Sequence, residues 1–282
     1  ALTEGKDPGE AEACFQQSYQ LFDKHHDPQI AVSIFHLGIV AIEQDKPDLA
    51  LTRLEESHGL FRQMGCLFFT ARVTVFLGQL YRKLGELEKA VAYYDACLAI
   101  DRRIHFWREM ANGLSELGDL YRTLGKFLQA EQSYRESLVL CRDHGLGPCS
   151  QWFSLGLLAL QQKNLALAGQ HFTQTSSQEP EHSQESATGM MLMGLAALAA
   201  AAKQPERAAR LYGAAQAILA ASNYRLAPLD QAEIERHIQM VRGELGGTAF
   251  DRLAAEGQAI PLKQAVVYAL EISTLIPSTP KE

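Results

Sequence analysis

Residues 77–98, LGQLYRKLGELEKAVAYYDACL, and residues 117–138, LGDLYRTLGKFLQAEQSYRESL, are two copies of one pattern. Leu77-Gly78, Tyr81, Gly85, Ala90, Tyr94 and Cys97 return as Leu117-Gly118, Tyr121, Gly125, Ala130, Tyr134 and Ser137, at a period of 40 residues. A period of this length without any strand signal predicts stacked helical hairpins, since one hairpin cannot bury its apolar face alone. The same register extends upstream to Leu37-Gly38, Ala41, Ala50, Leu54 and Ser57, with Asp45-Lys46-Pro47 as the turn. Pro47 suits a first helical turn, where its missing N–H costs nothing. Downstream come Leu155-Gly156, Ala159, Ala168, Phe172 and Thr175, then a looser copy in Ala196, Ala199, Ala208, Tyr212 and Ala215.

Small residues recur where two helices must approach closely. Gly38, Gly78, Gly118 and Gly156 are each followed twelve residues later by Ala50, Ala90, Ala130 and Ala168. The spacing predicts that each glycine on a first helix faces the alanine of its second helix, bringing the axes toward the short end of the usual range. Tyr94, Tyr134, Phe172 and Tyr212 are then expected to fill the wedge between successive hairpins. Ser57, Cys97, Ser137, Thr175 and Ala215 leave room for the next repeat.

These residues resemble the tetratricopeptide repeat, in the long-helix variety found in sensor regions of large bacterial signal-transduction ATPases and regulators such as the maltose-regulon activator. The resemblance covers about residues 8–222 and implies an all-α, right-handed superhelical solenoid of helical hairpins. The expected hairpins span 29–65, 66–105, 106–145, 146–182 and 183–222, after a half repeat or capping helix over 1–28. Pro228, Gly246-Gly247 and Pro261 divide a C-terminal helical cap over 223–272 into three helices, and 273–282 reads as a disordered tail. The runs Gln204 to Ala215 and Phe250 … Glu256-Gly257 … Leu262 … Ala265-Val266 … Ala269-Leu270 are similar to the C-terminal ends of LuxR-type and related ATPase regulators. That similarity, with Ala1 in place of Met, implies a sensor module behind upstream domains of the same polypeptide.

Composition narrows the function. A formal charge of −7 lacks the basic face that phosphate neutralisation needs, so direct nucleic-acid binding is not expected. The uncharged run Ser186 to Ala202 is short for a bilayer and half Ala and Gly, so no membrane association is expected. Five cysteines without a CxxC pair suit a reducing, cytoplasmic setting and neither a zinc site nor a disulfide framework. Cys141 and Cys149 flank a Gly-Leu-Gly-Pro turn and read as half-buried thiols. His25-His26 reads as a solvated helix end, because adjacent helical residues point about 100° apart. Met190, Met191 and Met193 read as core. No phosphate loop, GxSxG or HExxH occurs, and no nucleophile stands with a base, so neither an enzyme nor a cofactor is expected.

The remaining question is what lines the concave face, which the resemblance assigns to the first helix of each hairpin. In the second and third hairpins the inward positions hold Arg72, Val75, Gln79, Arg82, Asn112, Ser115, Asp119 and Arg122. Of these, Arg72, Gln79, Arg82, Asn112, Ser115, Asp119 and Arg122 form the candidate binding groove. Three arginines against one aspartate would suit an anionic or carboxylate-bearing ligand, unless internal pairs such as Arg82 with Asp119 consume them. Val32, Phe35, Ile39 and Ile42 make the first hairpin's face apolar, an expected partner surface that an upstream domain or a second copy in a homodimer would cover. Ser150, Phe153, Leu157 and Leu160, with Met190, Met193, Ala197 and Ala200, make the other end apolar, expected under the cap. The function expected is a non-catalytic module that binds a protein, a peptide or a small effector. The alternative is a free-standing adaptor for peptide segments, against which stands the lack of a Lys/Asn carboxylate clamp beyond Asn112.

Overall fold

The computed structural model describes residues 8–25, 28–146, 151–177 and 184–275. Among them are fourteen helices and no strand. In chain order they are α1 (Pro8–His25), α2 (Ile30–Glu43), α3 (Pro47–Gln63), α4 (Leu67–Lys83), α5 (Leu87–Ile104), α6 (Trp107–Thr123) and α7 (Phe127–His144). There follow α8 (Gln151–Gln161), α9 (Leu165–Ser177), α10 (Gln184–Ala201), α11 (Pro205–Ala221), α12 (Pro228–Leu245), α13 (Gly247–Gln258) and α14 (Leu262–Leu275). The fold is all-α, and the helices divide into two compact units, Ala1–Leu124 and Gly125–Glu282.

The hairpin turns repeat as strictly as the helices. Asp45, Gly85, Gly125, Lys163 and Lys203 occupy one repeat position, and all five have left-handed backbone at φ between 57° and 80°. One residue on, the N–H turns back to a carbonyl five residues earlier: Lys46 to Ala41, Glu86 to Tyr81, Asn164 to Ala159 and Gln204 to Ala199, each at 2.9 Å. This closes the last turn of the first helix and satisfies its orphan carbonyl. Glycine holds the left-handed position at 85 and 125 without the steric cost that Asp45 and the two lysines bear. Pro47, Pro205 and Pro228 stand at the first helical positions of α3, α11 and α12.

In the first unit each helix packs on the next, from α1 through α6. Phe35, Leu54, Phe61, Val73, Leu77 and Leu80 lie in its core. Ala50 and Ala90 of α3 and α5 are wholly buried, as expected. The glycines, however, do not have alanine as nearest neighbour. A Cβ on Gly38 would meet Leu54 at 2.9 Å, and one on Gly78 would meet the Tyr94 ring at 3.0 Å. The partner is therefore the bulky residue sixteen positions on, because side chains four residues past the alanine lie on the same helix face.

In the second unit α8 and α9 form a hairpin, α10 and α11 another, and the C-terminal helices pack on both. Phe172 is wholly buried, and a Cβ at either Gly156 or Gly194 would strike its ring. One aromatic thus fills the space between two successive first helices, the wedge role its repeat position suggested. Met190, Met191 and Met193 are core residues, with Phe153, Leu157 and Leu160. Helix α12 packs on α8 and α10, and α14 on α9, α10 and α11. Ile234, Ile238 and Val241 of α12 complete this core. The apolar faces of α8 and α10 are thus closed by the chain's own C-terminal helices, while Ser150 lies outside the described residues.

Helices α11 and α13 approach closely at two glycines. A Cβ on Gly213 would lie 2.0 Å from the Ala254 carbonyl oxygen, and one on Gly257 would lie 2.0 Å from the Arg210 carbonyl oxygen. The two helices cross backbone to backbone through reciprocal glycines, which no other residue type permits at this distance.

Candidate functional site

The polar positions of α4 and α6 lie in the first unit. Arg72 and Arg82 on α4 and Asn112 on α6 are exposed, and Gln79, Ser115 and Asp119 are half-buried. Arg122 is not a groove side chain: the residue is 3% exposed. Its guanidinium lies 3.5 Å from Asp119 on the preceding turn of α6. The Leu-Gly register alone could not show this, because it fixes which way a position points and not what surrounds it.

Arginine chemistry here is largely spent within the fold. Arg82 pairs with Glu116 across α4 and α6, and not with Asp119. The Arg72 guanidinium lies 5.8 Å from the ring centroids of both Phe35 and Phe68, within reach of cation–π attraction. Of the three arginines, Arg72 alone makes no ion pair among the described residues. The anionic-ligand argument therefore loses two of its three cations.

The apolar face of α2 is also largely closed. Phe35 has no exposed surface and meets Phe76 of α4 edge-on, centroids 5.3 Å apart. Val32, Ile39 and Ile42 are half-buried against the same core. On the α1 side, Phe15 stacks on His36 at 4.7 Å. Burial holds that imidazole below its ordinary pKa, Arg72 reinforces the shift, and a hydrogen bond to the Val32 carbonyl opposes it. Phe35 is thus removed from the expected partner surface.

A pocket of about 260 Å³ opens between α4, α5 and the start of α6. Phe68 and Phe106 wall it, with centroids 5.4 Å apart. Cys97 and Asp101 of α5 lie inside it, both nearly fully buried, and the Cys97 thiol donates to Asp101 Oδ2 at 3.3 Å. Burial pushes both groups up, and the neighbouring Glu109 carboxylate pushes them further. Sequence reasoning missed Asp101 and Cys97 because they sit on the second helix of their hairpin, away from the positions assigned to the groove.

Among the described residues no group of three His, Cys, Asp or Glu is placed to hold a metal ion, and no helix is long and apolar enough to cross a membrane. His25, His26 and Cys149 fall outside the described side chains. Cys14, Cys66 and Cys97 are free thiols.

The tetratricopeptide repeat family matches residues 69–143, the stretch that carries α4 to α7. Comparison with curated proteins gives no match. Among solved structures, BtubC (BKLC) from P. vanneervenii is similar at 19% identity, with a TM-score of 0.62 over 79% of this chain and 95% of that one. A tetratricopeptide repeat protein from Parabacteroides merdae ATCC 43184 is similar at 16% identity, with a TM-score of 0.51 over 86% of this chain and 98% of that one. These likenesses show an all-α repeat fold of the tetratricopeptide kind.

Proposed function

We propose that this chain is a non-catalytic interaction module that binds a protein or peptide segment across α4 and α6. Arg72, Gln79, Arg82, Asn112, Ser115 and Asp119 would form the contact surface, and Arg122 would hold α6 in shape beneath it. The observation that carries this reading is the row of solvent-facing polar side chains on two successive first helices, within the stretch matched by the repeat family. Exposed polar side chains on a rigid helical scaffold offer a precise binding surface at low ordering cost. The C-terminal runs that are similar to LuxR-type regulators support placing the module in a bacterial transcriptional or signalling protein, acting in the cytoplasm beside further domains.

The test is affinity capture from an extract of the source cells, followed by titration calorimetry of each captured protein against the purified chain. The double variant Gln79→Arg/Asn112→Arg, which changes no buried side chain, is expected to weaken binding at least tenfold. Equal affinity for wild type and variant would remove the α4/α6 surface from the interaction.

A further inference from the structure

The pocket between α4, α5 and α6 has a charge pattern opposite to that expected of the groove. Its lining holds two carboxylates, Asp101 and Glu109, against the single guanidinium of Arg72. Arg72 lies over aromatic rings, and neither carboxylate has an ion-pair partner among the described residues. The hydrogen bond that the structure gives Asp101 comes from a thiol, a weak donor.

That arrangement is electrostatically costly. A carboxylate 2% exposed has lost most of its hydration. Asp101 recovers little of it from the Cys97 thiol, and the Glu109 charge beside it repels. A cation entering between the two carboxylates would turn this repulsion into attraction within a partly desolvated space, where charge–charge terms exceed their value in water. The aromatic wall fits the same occupant, because Phe68 and Phe106 line the pocket and offer apolar surface to a methylene stem.

We infer that this pocket receives a basic side chain, arginine or lysine, of the bound partner, with its cationic end between Asp101 and Glu109 and its stem along Phe68 and Phe106. The inference rests on the interaction-module reading and specifies its ligand chemistry. Arg72, at the side of the pocket nearest Phe35, remains available to a partner carboxylate or backbone carbonyl.

The experiment is a titration of the isotopically labelled chain with N-acetyl-arginine methylamide, followed by amide chemical shifts, with the neutral N-acetyl-citrulline methylamide as control. Shifts are expected to cluster at Ala71, Cys97, Asp101 and Glu109, with citrulline at least tenfold weaker. Asp101→Asn, which keeps an acceptor for the Cys97 thiol, should lose at least tenfold in affinity for arginine. Glu109→Gln, an exposed change that spares the core, should weaken it by a smaller factor in the same direction. Equal binding of citrulline, shifts mapping elsewhere, or full arginine affinity in a folded Asp101→Asn protein would each overturn the assignment. The probe carries no partner protein, so an absent response here sinks the pocket while leaving the capture result intact. Loss of capture likewise leaves this titration interpretable.

Discussion

Replacing Gly213 by alanine adds one methyl group at the point where α11 and α13 touch. The added Cβ would stand 2.0 Å from the Ala254 carbonyl oxygen, whereas an ordinary carbon–oxygen contact is about 3.3 Å or more. The obstructing atom is main chain, so no rotamer change relieves the clash and α13 must move by about 1 Å or more. That movement loosens Phe250 and Leu253, which α13 buries in the core of the second unit. Overpacking of this kind costs about 1–3 kcal/mol, and the main-chain obstruction places it at the upper end. Alanine's better helix propensity returns up to about 1 kcal/mol, leaving a net loss of about 2 kcal/mol. For a unit of this size that corresponds to a fall in Tm of roughly 4–8 °C. The assay is thermal unfolding by tryptophan fluorescence in a Trp107→Phe background, where Trp152 of α8 reports on the second unit. Gly243→Ala, at an exposed position of α12, is the control: nothing lies within 4 Å of its Cβ, so the same substitution should stabilise by about 0.5 kcal/mol or more. Gly257→Ala should behave as Gly213→Ala does, and the double variant should lose less than the sum, because the helices part only once. A Gly213→Ala protein that melts at or above the wild-type temperature would refute the backbone-contact account.

Three further outcomes follow from individual side chains. Arg122→Ala should cost about 3 kcal/mol in chemical denaturation by leaving the Asp119 carboxylate without its buried cationic partner, whereas Arg82→Ala, an exposed pair with Glu116, should cost less than about 1 kcal/mol. Tyr94 is wholly buried with a hydroxyl that meets no hydrogen-bond partner, so Tyr94→Phe should be neutral or stabilise by about 1 kcal/mol, read from the same melts. His171 is 6% exposed, and burial reinforced by Arg135 brings its pKa from 6.5 down to about 4, with Glu131 opposing. The unfolded chain therefore binds a proton that the folded chain refuses. Stability contributed by the neutral imidazole is complete above pH 6.5 and is lost as pH falls toward 4, by up to about 3 kcal/mol. Urea midpoints across that window should fall for wild type and flatten for His171→Gln.

Much of the fold was written in one-dimensional spacing. The forty-residue register found the helical hairpins because each buried position, such as Ala90 or Cys97, recurs one period away. The breaks at Pro228, Gly246 and Pro261 marked the C-terminal helices for the same local reason: they act on the backbone where they stand. What spacing could not reveal was which small residue meets which large one. Gly78 opposes Tyr94 and not Ala90, and Gly213 meets the Ala254 main chain and Gly257 the Arg210 main chain with no periodic signal linking them. The polar surface was partly legible. Arg72 and Asn112 are exposed and Gln79 is half-buried. Arg122 and Phe35, read by the same rule, are buried, since the register cannot count neighbouring layers. Asp101 escaped notice because a carboxylate on a second helix looks like any surface charge until its neighbours are known.

The most direct measurement of the central claim is site-specific photocrosslinking. A photoreactive phenylalanine analogue is placed singly at residues 79 and 112, on α4 and α6, and at 92 and 96, two exposed alanine positions on α5. After irradiation in source-cell extract, positions 79 and 112 should capture the same partner, while 92 and 96 should capture little. Capture confined to 92 and 96, or equal from all four positions, would contradict the assignment of the α4/α6 face as the binding surface.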